Sequence, residues 1–160
     1  MTAHKTATQA ISAQRPSAGR YYLELFRASP LERVGLIKRG IRATEAKRIM
    51  ADLAMGQGVT LKALKLSPAT VNKKAKQDQS LSPEETERVI GIAKLVGQIE
   101  SMIQESGDPE RFDAAGWLSR WLRDPLAAFG GERPIDLMDT MEGQAMVATA
   151  LAQLQTGAYA

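Results

Sequence analysis

The stretch from Ser82 to residue 105 constrains the fold more than any other. Ser82 is a good N-cap, Pro83 suits the first helical position, and Glu85 stands where a capping box needs it. Val89, Ile92, Ala93, Val96, Ile99 and Ile103 then recur at 3.6-residue spacing. The pattern predicts a helix over 82–105 with one apolar stripe. Glu84, Glu85 and Glu87 near its start suit the helix dipole and read as structural, not catalytic.

Helix signals recur along the rest of the chain. Tyr21, Tyr22, Leu23, Leu25 and Phe26 open a short amphipathic helix, and Pro30 allows a second start that runs to Gly40. Thr44 is the expected cap of a third helix, with Ala46, Ile49, Met50 and Leu53 on one face and Gly56 and Gly58 at its end. Pro109 is expected to open another, carrying Phe112, Trp117, Leu118, Trp121 and Leu122. Asp139 or Thr140 caps a last one, whose apolar residues are Met141, Ala145, Val147, Ala148, Leu151 and Leu154. Gly157 suits a left-handed stop. Gly130-Gly131 reads as tight backbone geometry. No segment alternates apolar and polar residues with β-branched enrichment, so the fold class is all-α.

Composition narrows the function. The chain has no cysteine, and its one histidine, His4, lies four residues from a terminus. Disulfides, thiolate metal sites and His-based catalysis have no residues to work with, so neither a metal nor a cofactor is expected. No apolar run approaches the roughly 20 residues that span a bilayer. Residues 1–19 are polar, rich in small residues and aperiodic, the pattern of a disordered tail and not of a signal peptide. A cytoplasmic location is the expectation, with no membrane partner.

The net charge of +3 hides an asymmetry. Residues 1–80 hold 15 Lys/Arg against 5 Asp/Glu, and residues 81–160 hold 6 against 13. A basic half suits phosphate backbones, while an acidic half repels them and suits a protein partner. Solvated helix faces of differing sign would give the same totals.

The basic half carries a motif. Thr60 can cap a short helix, 61–65, and Leu66-Ser67 forms a tight joint. Ser67 then caps a second helix with Pro68 at its first position, running to about Gln77. Leu61, Leu64, Leu66 and Val71 would hold the pair together as a helix-turn-helix. The second helix offers Ser67, Thr70, Asn72, Lys73, Lys74 and Lys76 as candidate DNA contacts. Asn pairs with adenine edges, Lys and Thr reach bases or phosphates, and a helix N-terminus favours phosphate. A solvated basic helix remains the alternative.

The last forty residues are dense with signal. They run Trp121-Leu122-x-x-Pro125, Leu126-Ala127-Ala128-Phe129-Gly130-Gly131-Glu132-Arg133-Pro134-Ile135-Asp136-Leu137, Asp139-Thr140-x-x-Gly143 and Gly157-Ala158-Tyr159-Ala160. This resembles the toxin-binding C-terminal domain of the Xre/MbcA/ParS-type antitoxins. Leu81-Ser82-Pro83-Glu84-Glu85-x-x-Arg88 resembles that family's linker, and residues 33–77 resemble its Xre-like helix-turn-helix region more weakly. Asp124 and Phe129 depart from the usual Asn and Leu, and Met55-Gly56-Gln57-Gly58 is unusually glycine-rich.

The resemblance implies a tail over 1–19, an Xre-like DNA-binding domain over 20–80 and a toxin-binding domain over 81–160, with helix 82–105 linking the last two. It implies a type II antitoxin that blocks the active-site cleft of a RES-domain, NAD-attacking toxin. It also implies binding to operator DNA, as a homodimer, to repress its own operon. Such a cleft takes an anionic dinucleotide, so acidic residues and a terminal carboxylate would complement it. The expected arm is Gly157, Ala158, Tyr159 and Ala160, with Tyr159 as an aromatic anchor and Ala160 carrying the free carboxylate. Tyr159 could instead fold back on its own core. A plain helix-turn-helix regulator, whose C-terminal half dimerises or senses a ligand, is the competing reading. An enzyme is not expected, since no nucleophile–base pair, metal spacing or phosphate loop can be named.

Overall fold

A computed structural model describes residues 18–107 and 112–157. The described residues form eight α-helices: α1 (Ala18–Arg27), α2 (Pro30–Arg39), α3 (Ala43–Leu53), α4 (Gln57–Ala63), α5 (Pro68–Lys76), α6 (Pro83–Ser106), α7 (Ala114–Leu122) and α8 (Met141–Gln155). Two 3-10 turns, Ala127–Phe129 and Pro134–Leu137, lie between α7 and α8. Among the described residues the one β-type pairing outside helices is an isolated antiparallel bridge, Arg42 to Ser80. The all-α class is as the periodicity predicts.

Local capping sets most helix starts. Ser82 accepts from the Glu85 N–H at 3.1 Å, and the Glu85 carboxylate accepts from the Ser82 N–H at 3.0 Å. This is the capping box the sequence predicts. A second one, Ser29 with Glu32, opens α2. Several starts differ from expectation. α3 begins at Ala43, not after Thr44, and Arg42 at its N-cap makes no side-chain bond. The Ala43 N–H instead donates to the Gln79 carbonyl at 3.0 Å, so a remote backbone partner replaces the cap. α4 begins at Gln57, because Gly56, at φ 90°, turns the chain early. Thr60 is therefore inside α4, fully buried, with its hydroxyl donating to the Gly56 carbonyl at 3.1 Å. Gly58 lies within α4, and α3 ends in left-handed Ala54. α7 also starts late, at Ala114, where Asp113 accepts from the Gly116 N–H at 2.9 Å. Pro109, the expected start, lies outside the described residues. So does the expected tail except for Ala18 and Gly19, which begin α1.

α6 is the axis of the molecule. α1, α2, α3, α7 and α8 all pack on it. The sequence reading gave it one apolar stripe, but residues 89–93 and 95–99 are all buried. Neighbours on several sides cover its circumference, as happens for a core helix. Two glycines permit this. A methyl at Gly97 would collide with the Tyr22 carbonyl of α1, and one at Gly91 would collide with the Gln144 side chain of α8. Gln144 uses that space to donate from Nε2 to the Met138 carbonyl at 3.0 Å and the Arg88 carbonyl at 3.2 Å. The core is one continuous cluster from Tyr21 to Leu151, crossing residue 81 without a break. Each fully buried aliphatic side chain in it contributes about 1.5–3 kcal/mol.

Among the described residues no helix is long and apolar enough to cross a membrane, and no group of His, Cys, Asp or Glu could hold a metal ion.

Candidate functional site

The helix-turn-helix is α4, a tight joint and α5. Lys65 takes the left-handed conformation, φ 51°, and the Leu66 N–H donates to the Leu61 carbonyl at 2.8 Å. Leu61, Leu64, Leu66 and Val71 are all buried between the helices, as their spacing predicts. Ser67 caps α5 by accepting from the Thr70 N–H at 3.3 Å. Thr70, Lys73 and Lys76 are exposed. Asn72 is half-buried, and its Oδ1 accepts from Gln57 Nε2 at 3.0 Å, which fixes the orientation of its amide.

Lys74 is placed differently from its neighbours. It is half-buried, with Nζ 2.7 Å from Glu85 Oε1. Burial pushes the Glu85 carboxyl up, but its bonds to Lys74 and Ser82 outweigh that and hold it below the ordinary carboxylate range. Lys74 thus supports the capping box of α6. Spacing alone could not separate it from Lys73 and Lys76, since its partner comes from the next helix.

Two further residues tie this motif to the C-terminal part. Arg88 of α6 donates from Nη1 to the Leu64 and Lys65 carbonyls at 3.1 and 3.0 Å, closing the C-terminal end of α4. Lys65 in turn lies 2.8 Å from Asp139. That ion-paired hydrogen bond, more than the opposing burial, holds the Asp139 carboxyl below its usual range. Asp139 is free for this because Thr140 caps α8, accepting from the Gly143 N–H at 3.0 Å. Sequence reasoning missed both links. The acid beside a capping Thr was the available signal.

The C-terminal part builds a firm platform. Trp117 and Trp121 of α7 stack with centroids 6.0 Å apart and pack, half-buried, on the core. Leu126 to Glu132 forms a closed loop through Gly130 and Gly131, at φ 65° and 90°. On α8, Val147, Ala150 and Leu151 are buried. Met141, Ala145 and Leu154, among its apolar residues, are exposed, since α6 covers one side of the helix and only the 3-10 turn Ala127–Phe129, among the described residues, lies against the other. Gly157 ends the described chain, exposed, at φ 69°, with its N–H donating to the Leu154 carbonyl at 3.3 Å. Ala158, Tyr159 and Ala160 lie outside the described residues.

The whole chain can now be compared with known proteins. Residues 32–94 match the antitoxin Xre-like helix-turn-helix domain, a match that reaches into α6. Residues 110–157 match the antitoxin Xre/MbcA/ParS C-terminal toxin-binding domain. The chain belongs to the Xre/MbcA/ParS antitoxin family and is an antitoxin of a toxin–antitoxin system that carries a helix-turn-helix domain. Over 139 residues it is 58% identical to the Prs ADP-ribosylating antitoxin of Sphingobium sp. (strain YBL2), covering 87% of each chain.

Proposed function

We propose that this antitoxin neutralises a cognate RES-domain toxin by occupying its NAD-binding cleft, and represses its own operon by binding operator DNA as a cytoplasmic homodimer. The observation that carries the first part is the toxin-binding match, which runs to Gly157 at the exposed end of α8. The tripeptide that follows, Ala158-Tyr159-Ala160, supplies an aromatic anchor and a terminal carboxylate to a cleft built for an anionic dinucleotide. The relative's name supports an NAD-using partner, because ADP-ribosylation draws its ADP-ribose from NAD. In this reading the chain blocks catalysis and performs none of its own.

For operator binding, the exposed Lys73 and Lys76 face phosphate, with Ser67 and Thr70 at the helix N-terminus. Asn72, held by Gln57, reads an adenine edge. Lys74 acts from behind, by anchoring α5 to α6.

Co-expression with the product of the adjacent gene, followed by sizing of the tagged complex, tests the proposal. A stable complex that also prevents NAD loss in the host is expected. Deletion of residues 157–160 is expected to weaken neutralisation and leave operator binding intact. Full neutralisation by the truncated chain would overturn the arm. A chain that binds its promoter but no toxin would be a plain regulator.

A further inference from the structure

We propose that the toxin seats an apolar, uncharged surface in a groove along the outer face of α8, and that this groove supplies most of the affinity. The proposal deepens the toxin-binding reading above and rests on it. It begins with a composition anomaly. α8 holds a single charged side chain, Glu142, in a chain of which 24% is charged. A helix with one face in water normally carries charges there. Here Met141, Met146 and Leu154 are 40%, 44% and 39% exposed, and Ala145, Thr149 and Ala152 fill the face between them.

The first 3-10 turn lies against this face and gives it shape. Ala128 stands between two hollows. One, of about 220 Å³, is walled by Trp121, Leu126, Ala150 and Leu154. The other, of about 350 Å³, is walled by Phe129, Ala145, Met146 and Thr149, and Glu142 and Gln153 also line it. The ridge is held in place by backbone bonds: Gly130 N–H to Ala127 at 3.0 Å, Gly131 N–H to Leu126 at 2.9 Å, and Leu126 N–H to Glu132 at 3.1 Å. A docking partner therefore meets a formed surface and loses little entropy in ordering it.

The chemistry of the occupant follows. An ionised side chain entering the smaller hollow would leave water and meet no counter-charge, which is costly. An apolar side chain would fill it at a gain. One apolar side chain suits the smaller hollow, and across Ala128 a side chain with an apolar body and a polar tip suits the larger one, which Glu142 and Gln153 also line. The partner is the toxin because the entire groove lies within residues 110–157, the toxin-binding match, and runs out at Gly157, where the proposed arm begins. The acidic excess of this half, Glu142 included, then guides approach, while the apolar hollow beside Trp121 and Leu154 holds the complex.

The test uses the full chain and a catalytically inactive form of the toxin encoded beside it. Ala128→Glu and Met146→Glu each place a carboxylate in the groove at a partly or fully exposed position. We expect each to weaken toxin binding by about 30-fold or more, with an unchanged melting temperature. Raising salt from 0.05 to 0.5 M should slow wild-type association, while the dissociation rate changes by less than about threefold. Both variants binding as tightly as wild type would overturn the groove and leave the toxin reading standing. A wild-type dissociation rate that rises steeply with salt would also overturn it, in favour of a charged interface. Retained toxin affinity with an altered oligomeric state would assign the face to self-association instead. Failure of the wild type to bind would overturn the toxin reading itself, and the groove with it.

Discussion

Lys65 and Asp139 face each other at 2.8 Å across the junction between the helix-turn-helix and the cap of α8. Lys65 also occupies the left-handed residue of the joint after α4, and its carbonyl accepts from Arg88. One residue thus meets the helix-turn-helix, the central helix and the toxin-binding part.

These links should be unequal in strength. Lys65 is 73% exposed, so Lys65→Ala is expected to cost only about 0.2–1 kcal/mol. Arg88→Ala leaves two helix-end carbonyls without their donor and should cost more, about 1–3 kcal/mol. Urea unfolding of both variants checks the order. Because the Asp139 carboxyl is depressed, the Lys65 contribution is present above its ordinary pKa of 3.8 and fades as pH falls below that.

Glu100 gives the opposite pH dependence. Burial beside Leu23 of α1 raises its carboxyl to about 7, despite a bond from the Leu23 N–H, and among the described residues its Oε2 has no hydrogen-bond partner. The folded state then holds a proton that the unfolded chain releases near 4.5. Stability from this group is therefore full below pH 4.5 and is lost as pH rises through about 7. Glu100→Gln should raise the melting temperature at pH 8 and leave it unchanged at pH 4. Equal shifts at both pH values would sink this assignment.

The lysines of α5 should separate into two kinds. Lys73→Ala and Lys76→Ala are expected to lower operator affinity and flatten its salt slope by about one each, with no loss of stability. Lys74→Ala should lower the melting temperature as well, because it strips Glu85 of its partner. Salt titrations beside thermal melts tell the two apart.

Gln57 and Asn72 should act as a unit. Asn72→Ala is expected to reduce discrimination between operator and mismatched DNA by about 1–3 kcal/mol. Gln57→Ala should lose part of the same discrimination while keeping the salt slope, and the double variant should lose no more than Asn72→Ala alone. Additive losses would mean that Gln57 contacts DNA on its own account.

What was legible in the sequence was local. Ser82 with Glu85, Ser67 with Pro68, and Thr140 are caps whose partners lie three residues on, so spacing reveals them. The C-terminal run fixed the family because its turns demand particular residues in a particular order. The start of α3 has a remote cause. α3 is capped by Gln79, 36 positions after Ala43 in the chain, and no periodicity encodes that. The full burial of α6 was hidden for the same reason. One side of the helix follows the stripe, and the rest depends on how α1, α7 and α8 wrap it. The role of Lys74 depends on Glu85, which a reading of α5 alone does not include.

The unbroken core carries a consequence for the lifetime of the protein. With no seam at residue 81, neither half has a hydrophobic centre to retreat to when the other opens. A protease that pulls the chain apart at any point would take the helix-turn-helix and the toxin-binding part down together. Under the proposed operator binding, release of the poison and the order for fresh antidote would then start from one molecular event, with no interval in which a half-working fragment performs either task.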